Sequence, residues 1–143
     1  MQHKFALIGC GTIAERHAEN IAKSGILRAV CDVIPERADT MAKGFNAKPY
    51  YSLESLLQNE KELTVASICT PNGLHALHSI QCLQAGINVL CEKPLCIKTE
   101  DGQAMIEAAK SANKKLFVVK STRFNPVVAD FKKIIDEGRL GNL

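Results

Sequence analysis

The chain of 143 residues carries 18 Lys plus Arg against 15 Asp plus Glu, a formal charge of +3, with 46% hydrophobic and 23% charged residues. That balance belongs to one ordinary globular domain and excludes a disordered tail, a collagen and a coiled coil. The charge is too small and too evenly spread for a nucleic-acid footprint, and the longest apolar stretches are strand-sized, so neither a nucleic-acid nor a membrane partner is expected.

In chain order, β-type runs alternate with helical stretches. Lys4 to Ile8 predicts a first strand. A helix follows, with Ile13, His17 and Ile21 four residues apart and Ala14 and Ala18 beside them, closed by Ser24-Gly25. On this face His17 is read as a packing residue. Leu27 to Cys31 is the second strand, Pro35 to Phe45 the second helix, Tyr50-Tyr51 a short third strand and Ser52 to Asn59 a short helix. Val65 to Cys69, Asn88 to Cys91 and Leu116 to Val119 complete the strands. Between and after them lie helices over Leu74 to Ala85, over Thr99 to Asn113 with Thr99 as N-cap, and over Pro126 to Gly138. Strand, helix, strand alternation predicts an α/β fold, a Rossmann-type doubly wound parallel sheet in a single domain over residues 1–143.

The first strand runs directly into Gly9-Cys10-Gly11-Thr12-Ile13-Ala14, a G-x-G-x-x-A. Gly9 permits the tight turn, Gly11 lets the backbone approach a pyrophosphate, and Ala14 keeps the helix close to the sheet. Thr12 and Ile13 open that helix, whose N-terminus offers free N–H groups and the positive end of its dipole to phosphates. Asp32 ends the second strand about 20 residues beyond Gly11, where a carboxylate accepts hydrogen bonds from an adenosine ribose. The other reading is a plain strand-to-helix turn with Asp32 capping the next helix. The full fingerprint favours NAD. NADP is disfavoured because Asp32 repels a 2'-phosphate and Val33-Ile34-Pro35 offers no donor, although Arg37 lies a turn further on.

Ligands of doubly wound sheets bind outside the carboxyl ends of the strands. Three segments stand there: Thr70-Pro71-Asn72 with His75 after it, Glu92-Lys93-Pro94, and Lys120 with Arg123-Phe124-Asn125-Pro126. A lysine beside a nicotinamide can exchange a proton with a substrate hydroxyl, which makes Lys93 the candidate catalytic residue. The alternative is that Glu92 and Lys93 form an exposed turn pair. For His75 the alternative is a satisfied histidine at a helix end.

This set, in this order, resembles the Gfo/Idh/MocA oxidoreductases over essentially the whole chain. The resemblance rests on Gly9 to Ala14, Asp32, Thr70-Pro71-Asn72 with His75, Glu92-Lys93-Pro94, and Arg123 to Pro126 before a helix ending in Gly138-Arg139-Leu140-Gly141. It implies a domain in which Lys93 reaches the oxidised hydroxyl, Glu92 contacts the nicotinamide ribose side, and Thr70, Pro71, Asn72 and His75 border the cofactor cleft. It also implies a second, C-terminal domain with a further acid/base residue, before which this chain stops, and a homo-oligomeric full-length form. The opening Lys4 to Gly9 and the stretch Val118-Val119-Lys120 look like the branch that oxidises UDP-linked uronic acids, although Ser121-Thr122 replaces that branch's amide pair. There Lys120, Arg123 and Asn125 become substrate-binding candidates, cations suiting an anionic sugar nucleotide. The expected function is the NAD-binding half of a dehydrogenase acting on a sugar, polyol or nucleotide-sugar hydroxyl; the competing one is a non-catalytic NAD-binding or scaffolding module.

No metal is expected, since His75, His78 and Cys82 on one helix lack a fourth ligand. Six cysteines without a C-x-x-C, and no basic segment leading into an apolar core at the N-terminus, fit reduced, mostly buried thiols in a cytoplasmic protein.

Overall fold

The computed structural model describes residues 2–141. Six strands, β1 (Lys4–Ile8), β2 (Ile26–Cys31), β3 (Lys48–Tyr50), β4 (Val65–Ile68), β5 (Asn88–Cys91) and β6 (Leu116–Val118), form one sheet in the order β3-β2-β1-β4-β5-β6, every neighbouring pair parallel. This is the doubly wound order expected from the alternation. The strand order reverses between β1 and β4, which opens a crevice at their carboxyl ends.

Six helices connect and follow the strands: α1 (Thr12–Ser24), α2 (Pro35–Phe45), α3 (Leu53–Asn59), α4 (His75–Gln84), α5 (Thr99–Ser111) and α6 (Pro126–Asp136). Because strand side chains alternate, β1 serves both faces of the sheet. Leu7 joins Ala14, Ala18, Ile21 and Ala42 of α1 and α2 on one side. Ala6 and Ile8 join Leu56, Leu83 and Met105 of α3, α4 and α5 on the other. Each fully buried Leu or Ile contributes about 1.5–3 kcal/mol relative to exposure. The alanines of α1 hold that helix close to the sheet and so fix where its N-terminus points.

Several boundaries differ from the sequence reading by a few residues. Thr99 is the first residue of α5 rather than its cap; Lys98 occupies the N-cap with extended backbone and no side-chain bond. The carboxylates of Glu100 and Asp101 already favour that end of the helix dipole, so the start does not need a hydroxyl. A 3-10 turn over Asn72–Leu74 precedes α4, and β3 spans Lys48–Tyr50 rather than Tyr50-Tyr51. Helix α6 has no buried residue; Val127 and Phe131 stand exposed along it, and Phe124 stands exposed in the turn before it. No helix among the described residues is long and apolar enough to cross a membrane.

Candidate cofactor and active site

The glycine loop sits at the crevice. Gly9 has φ +90°, and its N–H donates to the Cys31 carbonyl at 2.7 Å. A Cβ there would lie 2.7 Å from the Cys69 carbonyl and 2.8 Å from the Thr70 nitrogen. Only glycine allows the end of β1 to press against the end of β4 in this way. Gly11 is the N-cap of α1, no side chain caps the helix, and a Cβ on Gly11 would meet nothing within 4 Å. An uncapped helix N-terminus facing open space fits the phosphates of a dinucleotide.

Asp32 lies at the end of β2, half-buried. Its Oδ2 accepts the Cys10 N–H at 2.8 Å and its Oδ1 accepts the Ile34 N–H at 2.9 Å. Ile34 is the N-cap of α2, so the carboxylate joins the glycine loop to the start of the next helix. Asp32 thus steadies the entry to α2 without capping the helix, and its carboxylate has acceptor capacity beyond these two bonds.

Two clefts flank the loop. One, of about 260 Å³, runs over Gly9 and Asp32 against Pro71, Leu74 and His78. The other, of about 390 Å³, runs from Ile13 past Thr70 and Asn72 to Glu92, Lys93 and Ser121. Arg37 is exposed and borders both the first cleft and a groove of about 660 Å³ that it shares with Thr12, Glu15 and Thr40.

Glu92 and Lys93 border the same cleft but differ in burial, which departs from an exposed turn pair. Glu92 is buried and Lys93 is exposed on the second cleft. Glu92 Oε2 accepts the Lys93 backbone N–H at 3.0 Å, and Oε1 lies 2.8 Å from His17 Nε2. His17 Nδ1 in turn lies 2.8 Å from Ser67 Oγ on β4. His17 is therefore a polar bridge as well as a packing residue. Its partners lie far along the chain, so helical spacing alone gave no signal for them.

His75 is 1% exposed, with Nδ1 2.7 Å from the Pro94 carbonyl and Nε2 2.8 Å from the Thr70 carbonyl. It braces the two strand-end loops, and its ring nitrogens point at protein rather than at open cleft. The third segment is more dispersed. Ser121 lines the second cleft, Lys120 and Arg123 are exposed around a 3-10 turn, and Asn125 Oδ1 accepts the Val127 N–H at 3.0 Å as the cap of α6. Asn125 is thus engaged in local structure.

All six cysteines are unpaired, and five are buried. Burial pushes the Cys10, Cys69 and Cys82 thiols up to about 12 and those of Cys31 and Cys91 to about 11, values that keep these five from acting as thiolate nucleophiles near neutrality. Among the described residues no group of three or more His, Cys, Asp or Glu could hold a metal ion. His78 Nδ1 instead contacts Thr70 Oγ1 at 3.2 Å.

Strand order, glycine loop and Asp32 together define a dinucleotide-binding Rossmann domain. The chain belongs to the Gfo/Idh/MocA oxidoreductases: the model of that family, described as an oxidoreductase family with an NAD-binding Rossmann fold, matches residues 3–120. The chain is 31% identical to the glucose-6-phosphate 3-dehydrogenase of Bacillus subtilis, covering 98% of this chain and 40% of that protein. It is 32% identical to an inositol 2-dehydrogenase of Salmonella typhimurium, covering 99% and 44% respectively. The crystal structure of the WlbA dehydrogenase from Bordetella pertussis, in complex with NADH and UDP-GlcNAcA, superposes with a TM-score of 0.94 at 35% identity over 99% of this chain and 44% of that one. The chain therefore spans less than half the length of these relatives.

Proposed function

We propose that residues 1–143 form the NAD-binding half of a cytoplasmic dehydrogenase that oxidises a hydroxyl of a sugar, polyol or nucleotide sugar, the other wall of the site coming from further chain. The observation that carries this reading is the split at the end of β5: a buried, hydrogen-bonded Glu92 holding an exposed Lys93 over the cleft beside the glycine loop. A domain that only senses NAD has no need of that lysine. The relatives named above, acting by their names on a phosphorylated sugar and on inositol, support the substrate class.

Gly9, Gly11 and the first turn of α1, with Thr12 and Ile13, would hold the pyrophosphate. Asp32 takes the adenosine ribose hydroxyls, and Thr70, Pro71 and Asn72 shape the wall between the two clefts. Bound NAD supplies the acceptor for the hydride that leaves the substrate carbon with its electron pair. Lys93 takes the hydroxyl proton released in the same oxidation, while Glu92 holds the backbone from which it projects and borders the nicotinamide ribose. Lys120 and Arg123 form a cationic rim suited to an anionic substrate.

The test is Lys93→Ala in the full-length protein, assayed by NAD reduction with sugars, polyols and nucleotide sugars. Turnover should fall roughly 100- to 10,000-fold with NAD affinity little changed. Unchanged turnover with weakened NAD binding would move Lys93 from chemistry to cofactor positioning.

A further inference from the structure

We infer that His17 is a positioning residue that fixes the Glu92–Lys93 pair to the same helix that carries the phosphate-binding loop. The inference rests on the cofactor reading proposed above. His17 and Glu92 are 75 positions apart, and their side chains are only 12% and 9% exposed. A contact so shielded from water is strong when made and costly when broken.

Donors and acceptors can be assigned from chemistry alone. Glu92 as a carboxylate only accepts, and it already accepts the Lys93 N–H on Oε2. The bond at Oε1 must therefore be donated by His17 Nε2–H. In the neutral ring Nδ1 then accepts, and the Ser67 hydroxyl is the donor it faces. Ser67 Oγ keeps a lone pair toward the Cys69 thiol, 3.9 Å away. The chain of bonds runs in one direction, from Ser67 through His17 to Glu92, and each member is satisfied.

The consequence is geometric. Helix α1 begins just after Gly11, and less than two turns later His17 reaches across β4 to the end of β5. The phosphate end and the nicotinamide end of the cleft are thus held by one rigid element. Without the imidazole, Glu92 keeps only its own neighbour's N–H, and the loop bearing Lys93 loses its tie to α1. The adenosine side, built on Gly9, Asp32, Pro71 and Leu74, does not involve His17.

Titration calorimetry of this chain with NADH and with ADP, which lacks both the nicotinamide and its ribose, separates the two ends. His17→Leu should weaken NADH by about tenfold or more, the scale of a hydrogen bond to a charged group, while ADP changes by less than about twofold. His17→Gln, whose amide N–H can still donate toward Glu92, should recover most of the NADH loss. Equal losses for both ligands, or no loss for either, would overturn the inference. A wild-type chain that binds neither ligand would instead remove the cofactor reading and this inference with it. Should the leucine variant fail to fold, ¹⁵N spectra of the wild-type imidazole decide: a proton on His17 Nε2 is expected, and a bare Nε2 would contradict the assignment.

Discussion

Asp32 Oδ2 accepts the backbone N–H of Cys10 at 2.8 Å, so the carboxylate proposed for the ribose also sets the shape of the glycine loop. Its second oxygen holds the start of α2 through Ile34. Asp32→Ala should therefore cost about 1–3 kcal/mol of folding stability without any cofactor present, the range for leaving shielded donors unpaired. Urea unfolding measures this, and a variant as stable as the wild type would show that the loop does not depend on the carboxylate.

The two loop glycines should respond to alanine in opposite ways. At Gly9 the left-handed backbone and the Cys69 and Thr70 main chain leave no room for a Cβ, and strain plus overpacking together cost roughly 2–5 kcal/mol. At Gly11 a Cβ meets nothing, so Gly11→Ala should stay within about 1 kcal/mol of wild-type stability. Its effect should fall on NADH affinity, through the space where a phosphate approaches. Thermal melts and titrations of both variants check the contrast.

Acid stability should depend on Glu60, which is buried between Tyr50, Arg28 and Lys48. Burial opposes its charge, but the Tyr50 hydroxyl, Arg28 and Lys48 together outweigh burial and hold the carboxyl below its ordinary value of 4.5. A carboxyl depressed in the folded state adds stability that is fully present above its unfolded value and is lost as pH falls through the folded one. Glu60→Gln should thus destabilise the chain at neutral pH and lose that penalty as the pH falls below 4.5 and through the lowered folded-state value. Urea midpoints across that range test it, and a constant difference between variant and wild type would contradict it.

The sequence made the glycine loop and Asp32 legible because that signal is local: a strand, a turn and an acid at a set distance. The strands of the core were legible for the same reason, apolar β-type runs between helical ones. The burial of Glu92 beside an exposed Lys93 was not, since neighbours at a strand end are covered or left open by what packs on them, here α1 and β4. His17 carried the helix period of a packing residue, while its partners Ser67 and Glu92 lie 50 and 75 positions away. Thr99 and Asn125 show the limit at helix ends. A good capping residue does not cap α5, and a residue read as a substrate contact caps α6.

Cofactor choice tests the account most directly, because Asp32 and Arg37 border the same cleft and pull in opposite directions. A carboxylate placed as Asp32 is would accept hydrogen bonds from a ribose 2'-hydroxyl and repel a 2'-phosphate, whereas Arg37 would attract one. The bonds of Asp32 to Cys10 and Ile34 fix its carboxylate at the end of β2, while Arg37 is exposed on α2. Titration calorimetry of this chain with NADH and NADPH should give NADH the tighter binding by about tenfold or more, the worth of one hydrogen bond to a charged group. Equal or tighter binding of NADPH would contradict the assignment of NAD and give the leading role to Arg37.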